Sequence, residues 1–299
     1  MSTFLLILTT IVWGSTFFII KDTIRNVDPF YLVFIRNLIA AVAMSLYVFT
    51  RDKKALFNKT TLTRGAVLGL LLATTYSSQT IGLKYTTSGH SAFITGSAVI
   101  FVPILLFVIW RIKLHPLDIV SILGVFTGLF LLTWDGDGHI NPGDLITLIT
   151  VAAYAVHLIS AGRFVKNVNV PAMIAHQFNF ATLFSLIAYL VAGSGGLAVT
   201  TKSLYALAYL GFCGTLFCYF VTVWAQKHVS AVQVALIFAL EPVFAAVFAW
   251  LFAGETLHRK EFSGMFLILA GIILYQTAKN LRDQRAAIGA KPNAVLETI

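Results

Sequence analysis

Glu241 stands directly before Pro242, about halfway along the apolar run 231–253. A charged side chain at such a place costs about 2.5–3.5 kcal/mol in a bilayer and normally faces a bundle interior or an aqueous cavity. The proline has no N–H, so the carbonyl of Phe238 loses its helical donor. Two uses fit this pair: a proton-linked or substrate-contacting carboxylate at a helix break, or a hydrogen-bonded Glu that steadies a kink. Gln233 falls near the same helical face as Glu241. Thr147, Thr150, Tyr154, His157 and Ala161 recur at steps of 3, 4, 3 and 4, which is one face of a helix. Thr215, Tyr219, Thr222 and Gln226 repeat the pattern, Tyr76 and Gln79 pair in a third run, and Trp13 shares a face with Thr9 and Thr16 in the first. Polar stripes on separate apolar helices suit a common cavity, since lipid satisfies no hydrogen bonds; hydrogen bonding between helices without a ligand is the competing use. Arg36, beside Asn37, lies close enough to the start of its run for the stem to snorkel, so it serves either an anionic group of a substrate or a structural pair.

The elements that must hold these residues follow from composition. The 299-residue chain is 58% hydrophobic and 11% charged, against about 25% charged for soluble domains. That leaves too little polar surface for a water-soluble fold. Ten runs are long and apolar enough to cross a membrane: 3–20, 30–50, 65–82, 92–110, 118–134, 143–161, 171–192, 205–224, 231–253 and 262–278. Asp28-Pro29, Asp135-Gly136-Asp137-Gly138, Asn141-Pro142-Gly143 and Gly193-Ser194-Gly195-Gly196 mark connections between them. The first run lacks a basic leader and a small-residue cleavage site before Lys21, so it is predicted to stay as a helix. With the N-terminus cytoplasmic, the inner loops and tail hold fourteen Lys and Arg and the outer loops six, which places both termini inside. The net charge of +9 is therefore topological and implies no nucleic-acid partner. Cys213 and Cys218 share one apolar run and read as core residues.

Shifted by 143 residues, the chain matches itself: Lys84 falls on Lys227, Ala92 on Ala235, Ile94 on Ile237, Leu114-His115 on Leu257-His258, Asp118 on Glu261 and Gly128 on Gly271. A shift of 142 places Pro29 on Pro171 and Asn37 on Asn179. Five helices per unit is odd, so the second unit enters the membrane in the opposite sense. Such inverted pairs expose a central site alternately to the two sides as the halves rock.

Gly254-Glu255-Thr256-Leu257, followed by Gly264 and Ala270-Gly271, resembles the glycine-glutamate motif and closing helix of EamA-type proteins in the drug/metabolite transporter superfamily. Trp13-Gly14-Ser15, Arg36, Gly143-Asp144-Leu145 and Glu241-Pro242 fit the same pattern, while Arg111-Ile112-Lys113 replaces the glycine-glutamate pair in the first half. The resemblance implies an all-α polytopic membrane protein of ten transmembrane helices in two inverted five-helix EamA repeats, at 3–134 and 143–278, with a cytoplasmic tail at 279–299. It also implies a carrier of small metabolites, often outward, with a cavity formed by spans 1, 3, 4, 6, 8 and 9.

On this reading the chain is an inner (plasma) membrane exporter of amino acids or related amphipathic compounds. Trp13, Tyr76, Tyr154 and Tyr219 form aromatic walls, and Gln79, His157, Gln233 and Glu241 supply polar contacts. Glu241 and His157 are candidate proton carriers, while facilitated diffusion fits equally. An uptake carrier or drug/proton antiporter of the same fold is the nearer alternative. Intramembrane serine proteolysis through Ser91 and His157 is the remote one. Asp135-Gly136-Asp137-Gly138 lacks the later glycine and glutamate of a calcium loop, and neither a phosphate-binding loop nor a zinc-protease motif is present, so no cofactor or metal is expected. Nothing forms the charged ring or repeated filter of a channel. Gly65-x-x-x-Gly69 and Gly124-x-x-x-Gly128 are packing faces, for neighbouring helices or for a homodimer.

Overall fold

The computed structural model describes residues 1–134, 141–194, 200–253 and 257–289. The Asp135-Gly136-Asp137-Gly138 turn, Gly195-Gly196, Gly254-Glu255-Thr256 and Lys291 lie outside the described residues. Among the described residues, ten helical spans are long and apolar enough to cross a membrane: Ser2–Thr23, Pro29–Phe57, Lys59–Tyr85, Ser88–Trp110, Pro116–Thr133, Pro142–Phe164, Val170–Ala192, Thr201–Ala225, Ala231–Phe248 and Arg259–Gln284. They are numbered 1 to 10 below. Short polar caps start many of them, frequently just before a proline whose missing N–H costs nothing in the first turn. Asp28 precedes Pro29, His115 precedes Pro116, and Asn141 precedes Pro142. Asp118 and Asp144 complete capping boxes at spans 5 and 6, so the repeated Leu-His pair has a structural use at the first of its two sites.

Asp28 shows how such a cap also joins elements. One carboxylate oxygen accepts from the N–H groups of Phe30 and Tyr31, and the other accepts from the N–H and hydroxyl of Ser194, just beyond span 7. Burial alone would raise this carboxyl, but the bonds from Ser194, Tyr31 and Phe30 outweigh it and hold the group below its ordinary value near 3.8. A depressed folded-state value means the stabilisation is present above the unfolded value and lost as pH falls through the folded one. Asp28→Ala is expected to cost about 0.5–2 kcal/mol at neutral pH. The loss should appear as a melting temperature lowered by a few degrees in detergent, with the gap to the parent narrowing below about pH 4. A gap of constant size down to acid pH would assign the loss to packing instead.

Packing follows a two-fold pattern. Span 3 lies against spans 6 and 7 and span 4 against span 6, while span 8 lies against spans 1 and 2 and span 9 against span 1. Spans 2 and 7, 4 and 9, and 5 and 10 pair with their own images. The units that pack are therefore not the sequence repeats: spans 3, 4, 6 and 7 form one bundle and spans 1, 2, 8 and 9 the other, each drawing two helices from each repeat. The 5–10 seam carries the same symmetry at atomic scale. A Cβ built on Gly128 would lie 2.7 Å from the Gly264 carbonyl oxygen, and one built on Gly271 would lie 2.9 Å from that of Ser121. Each contact is the other moved by 143 residues.

Spans 4 and 9 are both interrupted, at equivalent places. Span 4 runs Ser88–Gly96 and Ala98–Trp110 with Ser97 between, and span 9 runs Ala231–Phe238 and Glu241–Ala253 with Ala239 and Leu240 between. Interrupted helices in matching positions of two repeats are a mark of a midplane site. Span 4 ends with Arg111 in left-handed backbone at φ 56°, the position that the 143-residue shift aligns with Gly254. Gly65 and Gly69 are covered by span 7, so that face is spent on packing within the chain rather than on a dimer; Gly124 faces open space.

Candidate functional site

A narrow cavity of about 20 Å³ lies between the bundles at the level of the two breaks. Trp13, Thr16, Arg36, Thr75, Tyr76, Gln79, Thr95, Tyr154, Tyr219 and Glu241 line it. The walls are aromatic: Trp13 meets Tyr154, Tyr219 and Phe238 at ring separations of 6.1, 5.4 and 5.0 Å, and Tyr76 meets Tyr219 at 5.4 Å.

One backbone oxygen organises a corner of this cavity. Span 8 widens into a π-turn over Phe212–Phe217, a distortion that leaves a carbonyl without its usual helical donor. The Gly214 carbonyl accepts from Trp13 Nε1 at 2.8 Å, from the Tyr76 hydroxyl at 2.9 Å and, more weakly, from Arg36 Nη2 at 3.4 Å. The next residue, Thr215, accepts from Arg36 Nε at 2.8 Å through its hydroxyl, which itself donates to the Leu210 carbonyl. The Arg36 guanidinium also lies over the Tyr76 ring at 3.7 Å from its centroid, a cation–π contact.

Polar groups are left over. Arg36 Nη1, Thr95 Oγ1 and the Tyr154 hydroxyl are buried and have no hydrogen-bond partner among the described residues. Among the described residues, no donor bonds to the Glu241 carboxyl, and no ion pair within 4.0 Å joins it to Arg36. A buried polar group without a partner costs about 1–3 kcal/mol, and more when charged. A ligand that satisfied these groups would recover that cost.

The EamA-like transporter family matches residues 1–134 and again 141–277. The chain belongs to that family. It is 26% identical over 269 residues to an uncharacterized transporter of Archaeoglobus fulgidus, covering 90% of this chain and 83% of the relative. It is 24% identical to the uncharacterized transporter YoaV of Bacillus subtilis over 89% of this chain and 93% of the relative. It is 25% identical to the uncharacterized inner membrane transporter YedA of Escherichia coli over 91% and 89%. A solved crystal structure shares the fold with a TM-score of 0.77 at 16% identity, over 94% of this chain and 98% of that one. This EamA-like protein is thus a multi-pass membrane transporter.

Six of the residues expected in the site of this transporter, Trp13, Tyr76, Gln79, Tyr154, Tyr219 and Glu241, do line the cavity, as does Arg36. Arg36 does not snorkel: it is 1% exposed and bonded inward to span 8. His157 is a correction. It is fully buried outside the lining, where its ring meets Tyr219 edge-on at 5.3 Å and its Nε2 meets Gln177 Oε1 at 3.3 Å. Gln233 is a second correction. The break after Phe238 separates its helix from that of Glu241, and its amide bonds Lys279 and Gln276 of span 10. The polar stripes divide their bonds: Thr150 meets Ser78 and Gln226 donates to the Leu158 carbonyl between helices, whereas Thr147 donates to the Gly143 carbonyl and Thr222 to that of Cys218 within their own helices. Ser91 and His157 share no hydrogen bond, so the protease pair is not assembled. Thr215 belongs to the polar stripe that the sequence shows in span 8, whereas Gly214, Thr75 and Thr95 fall in no stripe; the break in span 4, found by moving that of span 9 back by 143 residues, is the available signal for Thr95.

Proposed function

We propose that this transporter exports small zwitterionic amino compounds across the inner (plasma) membrane by alternating access. One observation carries the reading. Arg36 keeps an unpartnered donor, Glu241 has a carboxyl that no donor satisfies among the described residues, and both line one aromatic-walled cavity without pairing. A cargo with a carboxylate at one end and an ammonium at the other completes both, and its apolar part meets Trp13, Tyr154 and Tyr219. The equivalent breaks in spans 4 and 9 beside the cavity support alternating access, because they let half-helices tilt about a fixed site. The bundles that would rock are the mixed ones, spans 3, 4, 6 and 7 against spans 1, 2, 8 and 9. Outward direction follows the family likeness, and cytoplasmic termini follow the excess of Lys and Arg on that side.

The test is mass spectrometry of the medium around cells expressing the intact protein or Tyr154→Ala at equal membrane levels. Small amino compounds are expected to accumulate outside only with the intact protein. Unchanged or depleted outside pools would end the export reading.

A further inference from the structure

We infer that Thr215, on the π-turn of span 8, is a positioning residue for the anion-reading end of the site: it aims the Arg36 guanidinium so that Nη1 faces the cargo's carboxylate. The inference rests on the proposed cargo class and adds the element that sets its selectivity. A guanidinium has five N–H donors in a fixed plane. Here Nε is bonded by the Thr215 hydroxyl at 2.8 Å, Nη2 reaches the Gly214 carbonyl at 3.4 Å, and the face of the group lies on Tyr76. Among the described residues Nη1 has no partner, although it is buried on a residue that lines the cavity. Fixing one edge and one face in this way determines where the remaining edge points.

The arrangement depends on the wide turn. The Thr215 hydroxyl donates to the Leu210 carbonyl, five residues back, so its lone pairs are turned toward Arg36. The absence of a side chain at residue 214 matters too. A Cβ built there would stand 3.3 Å from Arg36 Nη2 and 3.2 Å from Thr16 Cγ2, so even alanine presses on the guanidinium. The hydroxyl and the carbonyl hold the guanidinium on the span 8 side.

The test uses purified full-length protein in lipid nanodiscs and three probes of matched ring size: phenylalanine, phenylpropionate and phenethylamine. Thr215→Val keeps the shape and removes the hydroxyl. It is expected to weaken binding of phenylalanine and phenylpropionate about tenfold or more, the scale of one charged hydrogen bond, and to leave phenethylamine within about twofold. Thr215→Ser is expected to restore most of the loss. In an Arg36→Lys background, Thr215→Val is expected to add little, because both changes act on the same group. Equal weakening of all three probes, or a Thr215→Ser defect as large as that of Thr215→Val, would overturn the positioning role and make Thr215 a packing residue. If the intact, folded protein binds none of the probes, the proposed cargo class fails and the inference fails with it. If it binds phenethylamine alone, only the anion-reading end fails.

Discussion

Replacing Glu241 by glutamine is expected to cut cargo flux at least thirtyfold at equal membrane levels. Glu241 is 8% exposed in an aromatic-walled cavity, and no donor among the described residues satisfies its carboxyl. An ammonium group bound there would be almost free of competing water, where removing one partner of a charge pair costs about 2–5 kcal/mol. Glutamine preserves the volume and removes the charge, so the loss reports electrostatics rather than a void. The competing role is structural. Glu241 opens the second half-helix of span 9, where a negative side chain favours the helix N-terminus by about 0.3–1 kcal/mol. The two roles separate in one pair of measurements, efflux from preloaded proteoliposomes and thermal unfolding of the same variant. A collapse of flux with melting shifted by only a degree or two supports the cargo contact. Flux near the parental level together with a lowered melting temperature would return Glu241 to the role of stabilising the break.

The sequence made the scaffold legible because its signals were long. Ten apolar runs survive errors of a few residues at each end, and the 143-residue register draws on many aligned pairs. Single side chains were legible only where their face was unambiguous. Tyr154 and His157 lie on one stripe, yet the cavity takes only Tyr154. His157 is the next polar residue along span 6 toward Phe164 and meets Tyr219 edge-on, outside the lining. Gln233 failed for a different reason. Counting in fours assumes an unbroken helix, and the interruption that makes Glu241 interesting also destroys the register linking the two. For Arg36, nearness to a helix end does not mean access to water, because a bonded site on span 8 outcompetes snorkelling. The Gly214 carbonyl could not be found at all from residue types, since it is a backbone atom whose role depends on a π-turn that a glycine and a threonine do not announce.

The seam between spans 5 and 10 gives the largest expected structural effect. Gly128 and Gly264 meet backbone to backbone, with a Cβ on Gly264 falling 2.6 Å from the Gly128 carbonyl oxygen and 2.7 Å from the Leu132 nitrogen. Neither neighbour is a flexible side-chain end, so a larger residue must push the helices apart. Overpacking a tight interior costs about 1–3 kcal/mol where side chains can adjust, and at a helix crossing the loss spreads along the seam. Gly264→Val is therefore expected to leave little folded protein, read as loss of the single peak in size-exclusion chromatography from detergent. Gly128→Val should do the same. Gly124, one helical turn earlier on the same span, is the internal control: a Cβ there meets nothing within 4 Å. Gly124→Ala removes the conformational freedom of glycine without a clash and is expected to be neutral or to stabilise by about 0.5–1 kcal/mol. If Gly264→Val folds as well as Gly124→Ala, the close crossing of spans 5 and 10 is wrong. Because the contact of Gly271 with Ser121 is the image of that of Gly128 with Gly264, a tolerated Gly128→Val with a disruptive Gly271→Val would show that the two-fold relation holds in register but not in energy.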